Sequence, residues 1–253
     1  MTRFVDSHAH LDSEHFADVA PFLERARAAG ITDIVCIGAS SGFESNPRTL
    51  ALVSEHEGLT ATVGIHPHDA KVATDEVVEK IVSLSNHPKV VGIGEIGLDY
   101  HYDLSPRDQQ RAVFARFLAL GLNKPVVIHT REAEEDTVSI LRDSNVHQGV
   151  IHCFTGTEYL AQSALDLGFY ISFSGVLTFR NADRLRSIAR DLPRDRVLVE
   201  TDCPFLAPVP MRGKENEPSF IVHTASCLAD QWGVDDEEVK RITGENAIRL
   251  FGL

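Results

Sequence analysis

His8 and His10 stand two apart in the run VDSHAHLD. Alternate side chains of an extended segment share a face, so both imidazoles can grip one divalent ion from a single strand, and Asp6 shares their parity. Four more of the twelve histidines (His66, His68, His129 and His152) stand at or just past the ends of short apolar runs. Glu95 follows another such run, and Glu200 and Asp202 close the run VLVETD. A lone histidine at a loop boundary is ordinarily just a polar residue there, but six at equivalent places are not what scatter would give. The other six, among them His101 and His223, fall on loops and helices and take no ligand role. Imidazoles mixed with carboxylates suit two divalent ions, with magnesium, manganese and zinc all admissible. Paired ions about 3.5–4 Å apart suit hydrolysis, because they activate a water and clamp the oxygens of an in-line displacement.

The elements that must hold these residues alternate. Apolar, β-rich runs occur at 4–7, 33–37, 60–64, 90–94, 126–129, 150–153, 170–173 and 197–200, which makes eight. Helical periodicity lies between them at 19–29, 74–84, 107–120, 132–142, 158–167 and 181–190. Gly30, Gly121 and Gly168 fall where helices should end, and Ser105 with Pro106 where one should begin. Strict β/α alternation argues for a parallel sheet, and eight repeats for closure into a (β/α)₈ TIM barrel, a fold of about 250 residues. An open doubly wound sheet fits less well, since no GxGxxG follows the first strand. After strand eight, a loop over 204–217 leads to a helix near 221–231 and to two short helical pieces, 236–243 and 246–251. The whole chain, 1–253, reads as one domain.

Closure assigns the residues. Strand eight would lie beside strand one, so Asp202 can complete a His8/His10 site. His129 and His152, on neighbouring strands five and six, form a second pair, and Glu95 on strand four can bridge the two ions. Asp202 is also the carboxylate best placed to accept the proton of the attacking water. Arg131, Arg212 and Lys214 are candidate contacts to substrate charge, each with a solvated loop cation as the plain alternative. His66 is another substrate candidate unless His66-Pro67-His68 simply shapes a turn. Glu200 can orient a ligand from behind. Tyr100, Phe154 and Phe179 are loop aromatics placed to stack on bases, or merely to pack.

The net charge of −13 argues against a protein that coats nucleic acid electrostatically, but not against a nuclease. No signal peptide and no membrane-spanning run are visible, and the four cysteines make no CxxC pair. The expected location is cytoplasmic, with no obligate protein partner.

The series VDSHAHLD, GIHPHDA, GEIGLDYH, PVVIHTREA, IHCFTG, SFSGVLTF, LVETDCPFLAP and RGKENEP resembles the TatD family of metal-dependent deoxyribonucleases, within the amidohydrolase superfamily. HxH alone is shared by many amidohydrolases, whereas GEIGLDY with ETDCP and RGKxNEP is specific. The resemblance runs from residue 4 to nearly the C-terminus. It implies a TIM barrel and 3′→5′ exonuclease action on single-stranded DNA. It also implies metal ligation by His8, His10, Glu95, His129, His152 and Asp202, the six that the spacing selects. Only 40–48 (SSGFESNPR) is less typical, so that loop's part in substrate binding is open. Two other functions stay open: hydrolysis of an ester or amide, such as an aminoacyl-tRNA ester, and a scaffold that keeps its metal for stability.

Overall fold

A computed structural model describes residues 3–253. Eight parallel strands follow one another around the sheet in chain order. They are β1 (Phe4–Ala9), β2 (Ile31–Ile37), β3 (Leu59–Val63), β4 (Val90–Asp99), β5 (Val126–Arg131), β6 (Gly149–Ile151), β7 (Tyr170–Phe173) and β8 (Val197–Val199). The seam between β8 and β1 is closed just past the end of β8. Asp202 N donates to His8 O at 2.9 Å, and His10 N donates to Cys203 O at 2.9 Å. The result is the expected (β/α)₈ TIM barrel, with a helix after every strand.

The helices are α1 (Ala20–Ala28), α2 (Ser45–Glu55), α3 (Asp75–Leu84), α4 (Arg107–Ala119), α5 (Glu134–Asp143), α6 (Glu158–Asp166), α7 (Asp183–Asp191), α8 (Ile221–Trp232) and α9 (Asp236–Phe251). Apolar strand residues buried on both faces meet the apolar stripes of these helices, as parallel sheets require. Gly30, Gly121 and Gly168 carry the positive φ expected after α1, α4 and α6. None of the described helices is long and apolar enough to cross a membrane.

Three local expectations change. Helix α2 begins inside 40–48, with Pro47 in its first turn, where a missing N–H costs nothing. Ser105 does not cap α4; its hydroxyl donates to His68 O at 2.7 Å and accepts from Lys71 N at 3.2 Å. The two C-terminal pieces are one helix, α9, running unbroken through Gly244. A Cβ at Gly244 would lie 1.9 Å from Arg3 O, so this glycine serves close packing rather than a break.

That packing matters to the site at the other end. Ala247, Leu250 and Phe251 of α9 join Val5, Val35, Val127, Val150, Tyr170 and Leu198 in one buried cluster. Asn246 Nδ2 donates to Val197 O at 2.9 Å and Gln148 Nε2 to Leu250 O at 3.3 Å. Helix α9 thus plugs the N-terminal end of the barrel and leaves the C-terminal end as the open face.

Candidate metal centre

At the open face β1 delivers His8 and His10, whose Nε2 atoms lie 3.2 Å apart. Asp202 follows β8 in the left-handed region (φ 57), which aspartate tolerates. Its Oδ1 lies 3.3 Å from His10 Nε2 and 3.6 Å from His8 Nε2. Glu95 Oε2 sits 3.4 Å from His8 Nε2 and 3.9 Å from His10 Nε2. The other oxygen, Oε1, faces a second group: 2.8 Å to His129 Nδ1 and 2.7 Å to His152 Nε2, which are 3.3 Å from each other. One carboxylate therefore presents one oxygen to each pair of histidines.

The donor set fits divalent cations. Metal–ligand bonds of about 2.0–2.2 Å place ligands about 3–3.5 Å apart around one ion. Two imidazole nitrogens that face each other can share only one proton, whereas a cation satisfies both lone pairs. Both carboxylates and three of the histidines are buried, and His129 is partly so.

The electrostatics agree. Burial opposes the charge of Glu95, yet His152, His66 and His129 outweigh it and hold the carboxyl well below its ordinary range. Burial likewise opposes protonation of His152, but Glu95 and Glu200 lift it well above its ordinary value. His10 is raised against the same burial by its contact with Asp202, and His129 by Asp99 and Glu95. His8 goes the other way although it also faces Glu95. It is sealed from water and stacked on the His152 ring at 3.9 Å, so burial and that neighbour push it down.

Protons and metal compete for these nitrogens. Raised histidines keep their protons above the ordinary range, so the metal affinity of stripped protein is expected to rise from about pH 6 to about pH 8, by up to about tenfold per unit for each proton displaced. Titration against a chelating dye at several pH values checks this; an affinity flat over that range would contradict it.

Behind the histidines stands a layer of acceptors. Glu200 Oε1 lies 3.2 Å from His152 Nδ1 and accepts from Cys153 N at 2.7 Å, which fixes the ring from behind. Asp99 does the same for His129, with Oδ2 3.1 Å from its Nε2 and 2.9 Å from His68 Nε2. Burial opposes the charge of Asp99, but those two histidines win and its pKa is depressed. Sequence reasoning gave Asp99 no role; the signal was its parity with Glu95 on β4, which runs five residues past the expected end. His10 Nδ1 meets Ser40 Oγ at 2.9 Å, Ser40 donates to Asp12 at 2.8 Å, and Arg48 reaches Asp12 at 3.3 Å. The 40–48 segment is thus tied to a candidate ligand.

Asp6 does not join the cluster. Its carboxylate accepts from Thr201 N at 3.0 Å and from Thr201 Oγ1 at 2.6 Å, so it stitches β1 to the segment after β8. Burial, only partly offset by Thr201, pushes its pKa up to about 7.

The centre opens into a cavity of about 1440 Å³. His66 and Arg131 line it, as do Arg48, Tyr102 and Phe205. His66 Nδ1 accepts from His68 N at 3.1 Å, which leaves the proton on Nε2, 3.4 Å from Glu95 Oε1. Burial pushes this histidine down to about 4, so it is a neutral donor. Arg212 and Lys214 are not in the cavity wall. The Arg212 guanidinium covers the Phe179 ring at 4.0 Å and donates to Ala207 O at 3.4 Å. In that loop the buried polar residues are Asn216 and Glu217. Asn216 Nδ2 holds Thr201 O at 2.9 Å and Phe205 O at 2.6 Å, and Glu217 pairs with Arg25 at 2.7 Å. The three loop aromatics are also elsewhere: Phe154 is in the core, Tyr100 is bound to Asp136 at 2.5 Å, and Phe179 lies beneath Arg212.

Comparison with known proteins agrees with this geometry. Residues 5–252 match the family model described as TatD related DNase. The chain is 43% identical to the uncharacterized metal-dependent hydrolase YabD of Bacillus subtilis, covering 98% of each chain. It is 33% identical to the 3'-5' ssDNA/RNA exonuclease TatD of Klebsiella pneumoniae, covering 98% of this chain and 97% of that one. The crystal structure of YJJV, a TatD homolog from Escherichia coli, superposes with a TM-score of 0.93 at 28% identity, over 100% of this chain and 99% of that one. Barrel, histidine pairs and matched family together make this chain a member of the TatD family of metal-dependent hydrolases.

Proposed function

We propose that the chain hydrolyses phosphodiester bonds in nucleic acid, shortening single-stranded DNA from its 3′ end. The observation that carries the reading is Glu95, whose two oxygens lie in separate histidine pockets 2.7–3.4 Å from the nearest imidazoles. Support for the nucleic-acid substrate comes from the Klebsiella relative, whose name specifies that activity. His8, His10 and Asp202 would hold one divalent ion, His129 and His152 the other, and Glu95 both. Ions held there would acidify water and neutralise phosphate charge.

The chain's own groups do the rest. Asp202 keeps an ionised carboxylate at the cavity edge, with His10, His8 and His152 holding its pKa down against burial. Asp202 takes the proton from the attacking water. His66 donates Nε2–H to a substrate oxygen. Arg48 and Arg131 neutralise phosphate charge from the walls. The chain works as one domain, in the cytoplasm, where its four free cysteines would stay reduced.

Metal-stripped protein is expected to shorten end-labelled single-stranded DNA stepwise once magnesium, manganese or zinc is restored, and the position of the label gives the polarity. Inert behaviour toward DNA with every metal, together with turnover of an ester or amide, would overturn the phosphodiester assignment.

A further inference from the structure

Among the described residues three aromatic side chains are exposed: Tyr102 at 54%, Tyr159 at 48% and Phe205 at 56%. Two of the three, Tyr102 and Phe205, line the cavity over the candidate metal centre. Leaving such rings in water forgoes burial that folding would otherwise reward, so their placement calls for a ligand.

The two rings bracket the centre. Phe205 lies edge-on to the His10 ring, with centroids 5.9 Å apart, on the side of His8, His10 and Asp202. Tyr102 lies edge-on to the His68 ring at 5.5 Å, and His68 is joined through Asp99 to His129 on the other side. Glu95 sits between the two sides.

Both rings are held in place. Tyr102 N donates to Asp99 Oδ1 at 2.9 Å, and the Arg131 guanidinium lies 4.8 Å over the ring. Phe205 N donates to Asp202 O at 3.0 Å, while Asn216 holds its carbonyl. Each platform thus hangs from a residue of the centre three positions earlier in the chain. Arg48 and Arg131 are the two Lys or Arg side chains in the cavity wall, so aromatic faces and positive charge occur together, the combination that takes unpaired nucleic acid.

We infer that Phe205 and Tyr102 are base platforms on opposite sides of the scissile phosphate. The substrate is then an unpaired strand with a base on each side of the bond, each base unstacked onto one ring. A paired end is a poor substrate because its bases are not free to do this. The inference rests on the phosphodiesterase reading above.

The test is a set of oligonucleotides carrying one abasic site on either side of the scissile bond, cut by wild type, Phe205→Ala and Tyr102→Ala. Both residues are exposed, so the variants should fold, and Tyr102→Phe should restore what Tyr102→Ala loses. Each alanine variant should lose about 5- to 100-fold in kcat/KM on intact strands, beyond any change on methyl p-nitrophenyl phosphate. That loss should vanish when the abasic site lies on one side only, and the two variants should be insensitive to opposite sides. Losses independent of abasic position, or equal on the small diester, would overturn the platforms while leaving phosphodiester hydrolysis intact. A wild type that cleaves neither oligonucleotide nor small diester would defeat the underlying reading, and the platforms with it.

Discussion

Glu95→Gln is expected to release metal from both histidine pockets and to lower kcat/KM by about three orders of magnitude or more, about 4 kcal/mol of transition-state stabilisation. Glutamine keeps the shape but carries no charge and offers one oxygen, whereas the native carboxylate places Oε2 toward His8 and His10 and Oε1 toward His129 and His152. Metal analysis of the purified variant, beside wild type dialysed in the same buffer, reads the first effect; steady-state kinetics with excess metal read the second. A variant that keeps both ions and most of its rate would show that Glu95 does not bridge.

Asp202→Asn should be nearly as severe for the rate but milder for metal binding. Its carboxylate serves the His8/His10 pair from the cavity side and does not touch His129 or His152 at contact distance. The asparagine should leave the other pocket loaded and cost about 10²–10⁴-fold in kcat, the range for removing a general base. The sign of the pH effect follows from its depressed pKa: wild type loses rate on the acid side as Asp202 is protonated, and the variant should lack that limb. A variant with an unchanged acid limb would assign proton transfer to another group.

The face that carries the chemistry was legible because parallel strands are apolar along their length, so a histidine or acid at a strand end stands out. That logic expected Glu200 to orient a ligand, which the structure shows to be His152, and it placed the six candidate ligands at one end of the barrel. It failed where the backbone departs from strict alternation. The register of β1 shifts between Asp6 and Ala9, so Asp6 lost the parity it was given and turned to Thr201. Glycines at 94 and 97 masked the continuation of β4 to Asp99, and with it the partner of His129. Loop residues were least readable. Periodicity carries no information on where Tyr100, Tyr102, Phe179 or Phe205 point, and the RGKENEP run looked like a source of cations when Asn216 is what orders the loop. The C-terminal helix was expected as two pieces, 236–243 and 246–251, because the approach of Arg3 O to Gly244, which lets one helix run through, is visible only in three dimensions.

The most direct measurement is anomalous diffraction from crystals of the wild-type protein soaked in manganese. Two peaks about 3.5–4 Å apart are expected, one on each side of the Glu95 carboxylate, with His8, His10 and Asp202 around the first and His129 and His152 around the second. A single peak, or peaks that do not touch Glu95, would contradict the bridged two-ion centre.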